Sequence, residues 1–168
     1  MLRNRGRRFP PLTAELRTRL AQVAPVRTSQ TLRVYPCEVR LRDGSTMDRV
    51  CLAEAGPWFD VWGVWPDEDR GKNNLDISLV VDLWESPTRI PAPLAEKPYR
   101  GTDGGMGGSL FALVFRDGSR LTVRGGDAHD FVDYPAGFGP GDVVDIDCWL
   151  DRRTPAVRLP DFSWCLFS

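Results

Sequence analysis

The tetrapeptide Arg-Asp-Gly-Ser occurs twice, at 42–45 and at 116–119, each time closing a stretch in which alternate residues are apolar. Cys37, Val39 and Leu41 precede the first copy, and Phe111, Leu113 and Phe115 precede the second. Such alternation marks a strand with one buried face. Asp-Gly then supplies a turn, because glycine enters the φ > 0 region without a Cβ clash. Each copy therefore reads as a β-hairpin.

Two further pairs of segments follow in the same order. Phe59-Asp60-Val61-Trp62 parallels Asp130-Phe131-Val132-Asp133, and Val80-Val81-Asp82-Leu83 parallels Val143-Val144-Asp145-Ile146. The first half carries about eleven more residues between hairpin and last strand, mostly in the polar stretch 65–74, which reads as a loop. Cross-strand partners share a face, so burial favours a three-residue turn that sets Phe115 opposite Leu121 and Leu113 opposite Val123. The same turn in the first half would set Cys37 opposite Cys51 and bring a disulfide within reach; a reducing compartment makes buried thiols the default.

Helix is sparse. Thr13 to about Val23 offers an N-cap and apolar residues at Leu16, Leu20 and Val23, the spacing of one helical face. Pro91 to Lys97 reads as one or two turns ended by Pro98. The tail 159–167 is apolar enough to add a final strand or lie along the body. The expected fold is thus α+β and mostly antiparallel. Two related β-units, about 32–87 and 105–150, pack as one domain spanning 13–168, with a short N-terminal helix and a basic arm over 1–12.

The motifs Glu85-Ser86-Pro87, Arg100-Gly101, Gly105-Met106-Gly107 and 130–135, with Val34-Tyr35-Pro36-Cys37 and Trp62-Gly63-Val64-Trp65-Pro66, lie along the same region. Over roughly residues 32–150 the chain resembles a group of small uncharacterised bacterial proteins with no assigned function. The resemblance implies a compact bacterial domain and carries over no site.

Composition narrows the functional classes. At 168 residues with 42% hydrophobic and 27% charged residues, the chain is long enough for one well-packed core. No apolar run approaches the ~18 residues of a membrane-spanning helix. The basic N-terminus leads into Phe9-Pro10-Pro11 instead of an apolar segment, so no secretory signal is read. Cys37, Cys51, Cys148 and Cys165 show no CxxC spacing, which argues against zinc and for reduced thiols in the cytoplasm. The net charge of −1 is unevenly spread: residues 1–42 carry ten Lys/Arg against two Glu, and residues 43–168 carry the acidic excess.

Three candidate sites emerge. His129, the only histidine, lies between Asp127 and Asp130; carboxylates could orient it as a general base, although a turn or surface histidine is the commoner case. Arg3, Arg5, Arg7 and Arg8 form a basic arm suited to nucleic-acid phosphates, or to folding back on the acidic body. Trp58, Trp62 and Trp65 beside Asp67, Glu68 and Asp69 suggest a protein-recognition surface, with a buried aromatic core as the stronger alternative. In a strand, Trp58 and Trp62 would share a face. The run 101–109 lacks the Lys and following helix of a phosphate loop and reads as a connector. Aspartates at Asp82, Asp145 and Asp147 read as a solvated sheet face and not a metal site. No cofactor, metal or membrane partner is expected. The best overall expectation is a non-enzymatic cytoplasmic protein-interaction or binding module. The alternatives are a nucleic-acid-contacting protein using the arm and a small enzyme centred on His129.

Overall fold

Alternation and turn chemistry do produce strands where the sequence places them, and the computed structural model describes residues 6–101, 109–126 and 128–168. In chain order come α1 (Ala14–Leu20), β1 (Val26–Arg27), β2 (Arg33–Leu41), β3 (Thr46–Glu54), α2 (Ala55–Trp62), β4 (Asn73–Asn74) and β5 (Val80–Glu85). Next are α3 (Lys97–Gly101), β6 (Ser109–Phe115), β7 (Arg120–Gly125), β8 (Val143–Asp147), β9 (Val157–Arg158) and β10 (Ser163–Phe167). The fold is α+β, with two mixed sheets that are mostly antiparallel. Contacts divide the chain into two compact units, residues 1–86 with 162–168, and residues 87–161.

In the first unit β2 pairs antiparallel with β1, β3 and β5, and β10 adds to β3 in parallel, with β4 beyond it. The apolar tail is therefore a strand. Helix α1 is capped by Thr13, whose hydroxyl accepts from the Leu16 N–H at 3.2 Å. Its Leu16 and Leu20 join Cys37, Val39, Val50, Leu52, Leu83 and Cys165 in one core. In the second unit the sheet order is β8-β6-β7-β9, with β9 parallel to β7.

Both hairpins close in the same way. The N–H of Gly44 donates to Leu41 O, and that of Leu41 to Ser45 O; Gly118 donates to Phe115 O and Phe115 to Ser119 O. Gly44 and Gly118 hold φ of 86° and 88°, and Asp43 and Asp117 each accept from the N–H two residues on. This is a type I turn followed by a left-handed glycine. The three-residue loop is thus 116–118 and not 117–119. Leu113 faces Leu121 and Phe111 faces Val123, two residues from the expected register, and the burial parity is unchanged. A 3-10 turn (Ile77–Leu79, Pro140–Asp142) then leads in each unit to an edge strand. Both edge strands bulge at their second residue, leaving Val81 and Val144 each 47% exposed.

Elsewhere the expected correspondences fail. The segment 59–62 is helical, whereas 130–133 lies outside the named strands and makes only the single bridge Arg89–Phe131. Trp58 and Trp62 share a face in either a strand or a helix, so that spacing does not choose. Pro57, tolerated in a first turn, and left-handed Gly63 at the C-cap choose the helix. The first turn likewise closes two residues away from the expected register, which alone would set Cys37 opposite Arg49; a bulge in β3, with Arg49 at φ 61°, adds one residue, so that Cys37 faces Val50 and Cys51 faces Pro36. No disulfide joins the four cysteines. Pro98 does not end the linking element; it occupies the first turn of α3, where its missing N–H leaves no bond unmade.

Candidate functional sites

In the first unit the arm turns back on the acidic loop. The Arg7 guanidinium donates twice to Asp67, at 2.7 Å each, and lies 5.0 Å from the Phe9 ring centre and 5.9 Å from that of Trp65. The fork geometry holds the Asp67 carboxyl below its ordinary range. Arg7 is therefore engaged within its own unit, which weakens the nucleic-acid reading; Arg8 is exposed, and Arg3 and Arg5 lie outside the described residues.

Trp58 and Trp65 are core, and Trp62 is half-buried beside them. Trp58 and Trp65 are 0% and 3% exposed, and Trp58 meets Trp62, Trp65 and Trp164 at ring-centre distances of 5.9, 6.4 and 5.6 Å. Trp58 and Trp62 come from α2 and Trp65 from the segment just after it, and together they stack bulky rings against Trp164 of β10. Beside them Lys72 sits 4.8 Å from the Trp62 ring and pairs with Asp69, lowering the Asp69 pKa. Asp67 and Glu68 are exposed.

In the second unit His129 is 5% exposed, which overturns a surface placement. Its imidazole lies 3.8 Å from the Tyr99 ring centre and 5.8 Å from that of Phe111. Gly125 passes so close that a Cβ there would come within 3.1 Å of the His129 Cβ and 2.8 Å of Leu159 Cδ1. Among the described residues neither imidazole nitrogen has a hydrogen-bond partner, and burial lowers the pKa to about 4. The Tyr99 hydroxyl donates to Asp130 Oδ2 at 2.6 Å and accepts from the His129 backbone N–H at 3.4 Å. Asp130 is therefore tied to Tyr99 and not to the imidazole, and Asp127 lies outside the described residues. Two groups that could serve as a nucleophile are engaged elsewhere: the Ser119 hydroxyl is bound to Asp117 in the hairpin turn, and the Cys148 sulfur lies 3.8 Å from Lys97 O. A neutral imidazole held between rings, with no nucleophile on either nitrogen, does not form a general-base pair.

The aspartates of the two edge strands are taken by cations. Asp82 binds Arg19 and Arg40 at 3.2 and 3.0 Å, Asp145 binds Lys97 at 2.7 Å, and Asp147 binds Arg120 at 2.8 Å. Among the described residues no group of three or more His, Cys, Asp or Glu is arranged to hold a metal ion. No helix among them is long and apolar enough to cross a membrane.

One exposed aromatic escaped the sequence reading. Trp149 is 91% exposed, just past the end of β8, where its backbone N–H donates to Asp147 Oδ1 at 2.9 Å. An aspartate two residues ahead of an aromatic at a strand end signals such a turn, and the turn carries the ring off the sheet. Comparison with protein-family models, curated proteins and solved structures gives no match.

Proposed function

We propose that this protein is a non-enzymatic interaction module of the cytoplasm that holds a basic protein partner through the Trp149 end of β8. The observation that carries the reading is the 91% exposure of Trp149. An indole left in water forgoes roughly 1.5–3 kcal/mol of burial that a partner's pocket would recover. Tryptophan is also among the residues that most often dominate binding energy at interfaces.

The surroundings support the same assignment. Among the described residues strand β8 pairs only with β6 and forms a sheet edge, and its bulge leaves Val144 exposed. The bulge opposes simple strand addition, so docking of the ring is the favoured mode. Asp142, Asp145, Asp147 and Asp151 lie within ten residues; Lys97 and Arg120 engage Asp145 and Asp147, so any preference for a basic rim on the partner rests on Asp142 and Asp151. The four cysteines, none in a disulfide, support a reducing compartment.

The test is capture from a lysate of the native host with wild-type and Trp149→Ala baits, followed by titration of the purified partner. The substitution is expected to weaken binding about tenfold or more. A partner that binds both baits equally well would sink the assignment, as would His129-dependent turnover of a substrate.

A further inference from the structure

The first unit contains a groove of about 390 Å³ between α1 and the ends of β2, β3 and β10. That volume is in the range of small-molecule sites. Its walls are apolar: Leu12, Leu20, Val23 and Phe167, each at most 8% exposed, with the half-buried ring of Tyr35. Two groups of opposite charge stand on the same groove, Arg17 from the last turn of α1 and Glu54 from the end of β3.

Among the described residues the fold uses neither side chain, as is also true of Arg8, Glu15 and Arg33; what sets these two apart is that both line the groove. The neighbouring arginines Arg7, Arg19 and Arg40 all have carboxylate partners. Arg17 and Glu54 pair neither with each other nor with another described residue. Glu54 even occupies the N-cap position of α2 without its side chain capping the helix. The two charges have opposite sign and border one apolar groove while remaining apart, which leaves both available to a ligand lying between them.

We propose that this groove binds a small zwitterion with an apolar side chain, of the aromatic or branched α-amino-acid class. The Arg17 fork would take the carboxylate by two parallel hydrogen bonds, which suits its planar geometry. Glu54 would take the ammonium group, and the side chain would lie against Leu12, Leu20, Tyr35 and Phe167. Both charges are needed, because a ligand lacking one leaves the opposite protein group without its partner.

The assignment is tested by isothermal titration of the full chain with L-phenylalanine and L-leucine, with phenethylamine and 3-phenylpropionate as single-charge controls. At least one amino acid should bind, each control about tenfold or more weaker. Arg17→Ala should weaken the amino acid about tenfold and leave phenethylamine nearly unchanged; Glu54→Gln should also weaken the amino acid about tenfold while sparing 3-phenylpropionate. Both side chains are exposed, so an unchanged thermal midpoint verifies that the variants fold. Absence of heat with both amino acids, or equal binding by wild type and both variants, overturns the proposal. Neither result bears on Trp149, which belongs to the other unit.

Discussion

The ring of Tyr99 lies 3.8 Å from the imidazole of His129 while its hydroxyl reaches past to Asp130 at 2.6 Å. One side chain thus seals the histidine on one face and satisfies a carboxylate oxygen beside it. This arrangement keeps the imidazole neutral and gives the second unit a defined response to acid.

His129 has a folded-state pKa lowered to about 4 by burial, against an ordinary value of 6.5. The unfolded chain therefore binds the proton first as pH falls. The stabilisation is fully present above pH 6.5 and is lost between there and about pH 4, with about 2 kcal/mol gone by pH 5. Urea melts of wild type and His129→Phe at neutral pH and at about pH 5 should show this loss only in the wild type. Parallel losses in both proteins would assign it to other groups.

Gly44 and Gly118 hold φ of 86° and 88° with nothing within 4 Å of where a Cβ would stand. Replacement by alanine therefore costs backbone strain alone, about 1–2 kcal/mol at each site. Because the turns belong to different units, the double variant should lose the sum of the two, measured by chemical denaturation.

Trp58 and Trp149 are opposite extremes, at 0% and 91% exposure. Trp58→Ala should cost about 3–5 kcal/mol by opening a cavity in the aromatic core. Trp149→Ala should change stability by no more than about 0.5 kcal/mol. Iodide quenching provides an independent check: Trp149→Phe should remove the most accessible part of the fluorescence.

Arg7 and Asp67 form a bidentate pair with side chains 32% and 39% exposed. Partial exposure limits its contribution to about 1 kcal/mol, screened by salt. A double-mutant cycle with Arg7→Ala and Asp67→Asn should give a coupling of that size at low ionic strength and less in strong salt. A coupling indistinguishable from zero at low salt would mean that the stacking on Phe9 and Trp65 holds the arm in place.

Much of the fold was legible because its signals are local. Thr13 with Leu16 and Leu20 predicts α1, and Asp-Gly after alternating apolar residues predicts both hairpins. The misreadings arose where two periods coincide or one extra residue enters a ladder. The interval from Trp58 to Trp62 suits a helix and a strand alike, and the turn register together with the bulge at Arg49 places Cys37 opposite Val50 instead of Cys51. The candidate sites were less legible. His129 looked like a loop residue between carboxylates, and nothing nearby in sequence announces Tyr99, thirty residues upstream, as its cover.

The sequence by itself determined the strand faces, the two glycine turns and the capped helix, since each depends on the conformational preferences of a few adjacent residues. Only the tertiary structure decided which polar groups are used up and which are left over. Arg7 closes on Asp67 across sixty residues, while Trp149 stays in water and Arg17 and Glu54 border a shared groove unpaired. Burial and pairing depend on which distant segments pack together, and adjacent residues carry no record of that.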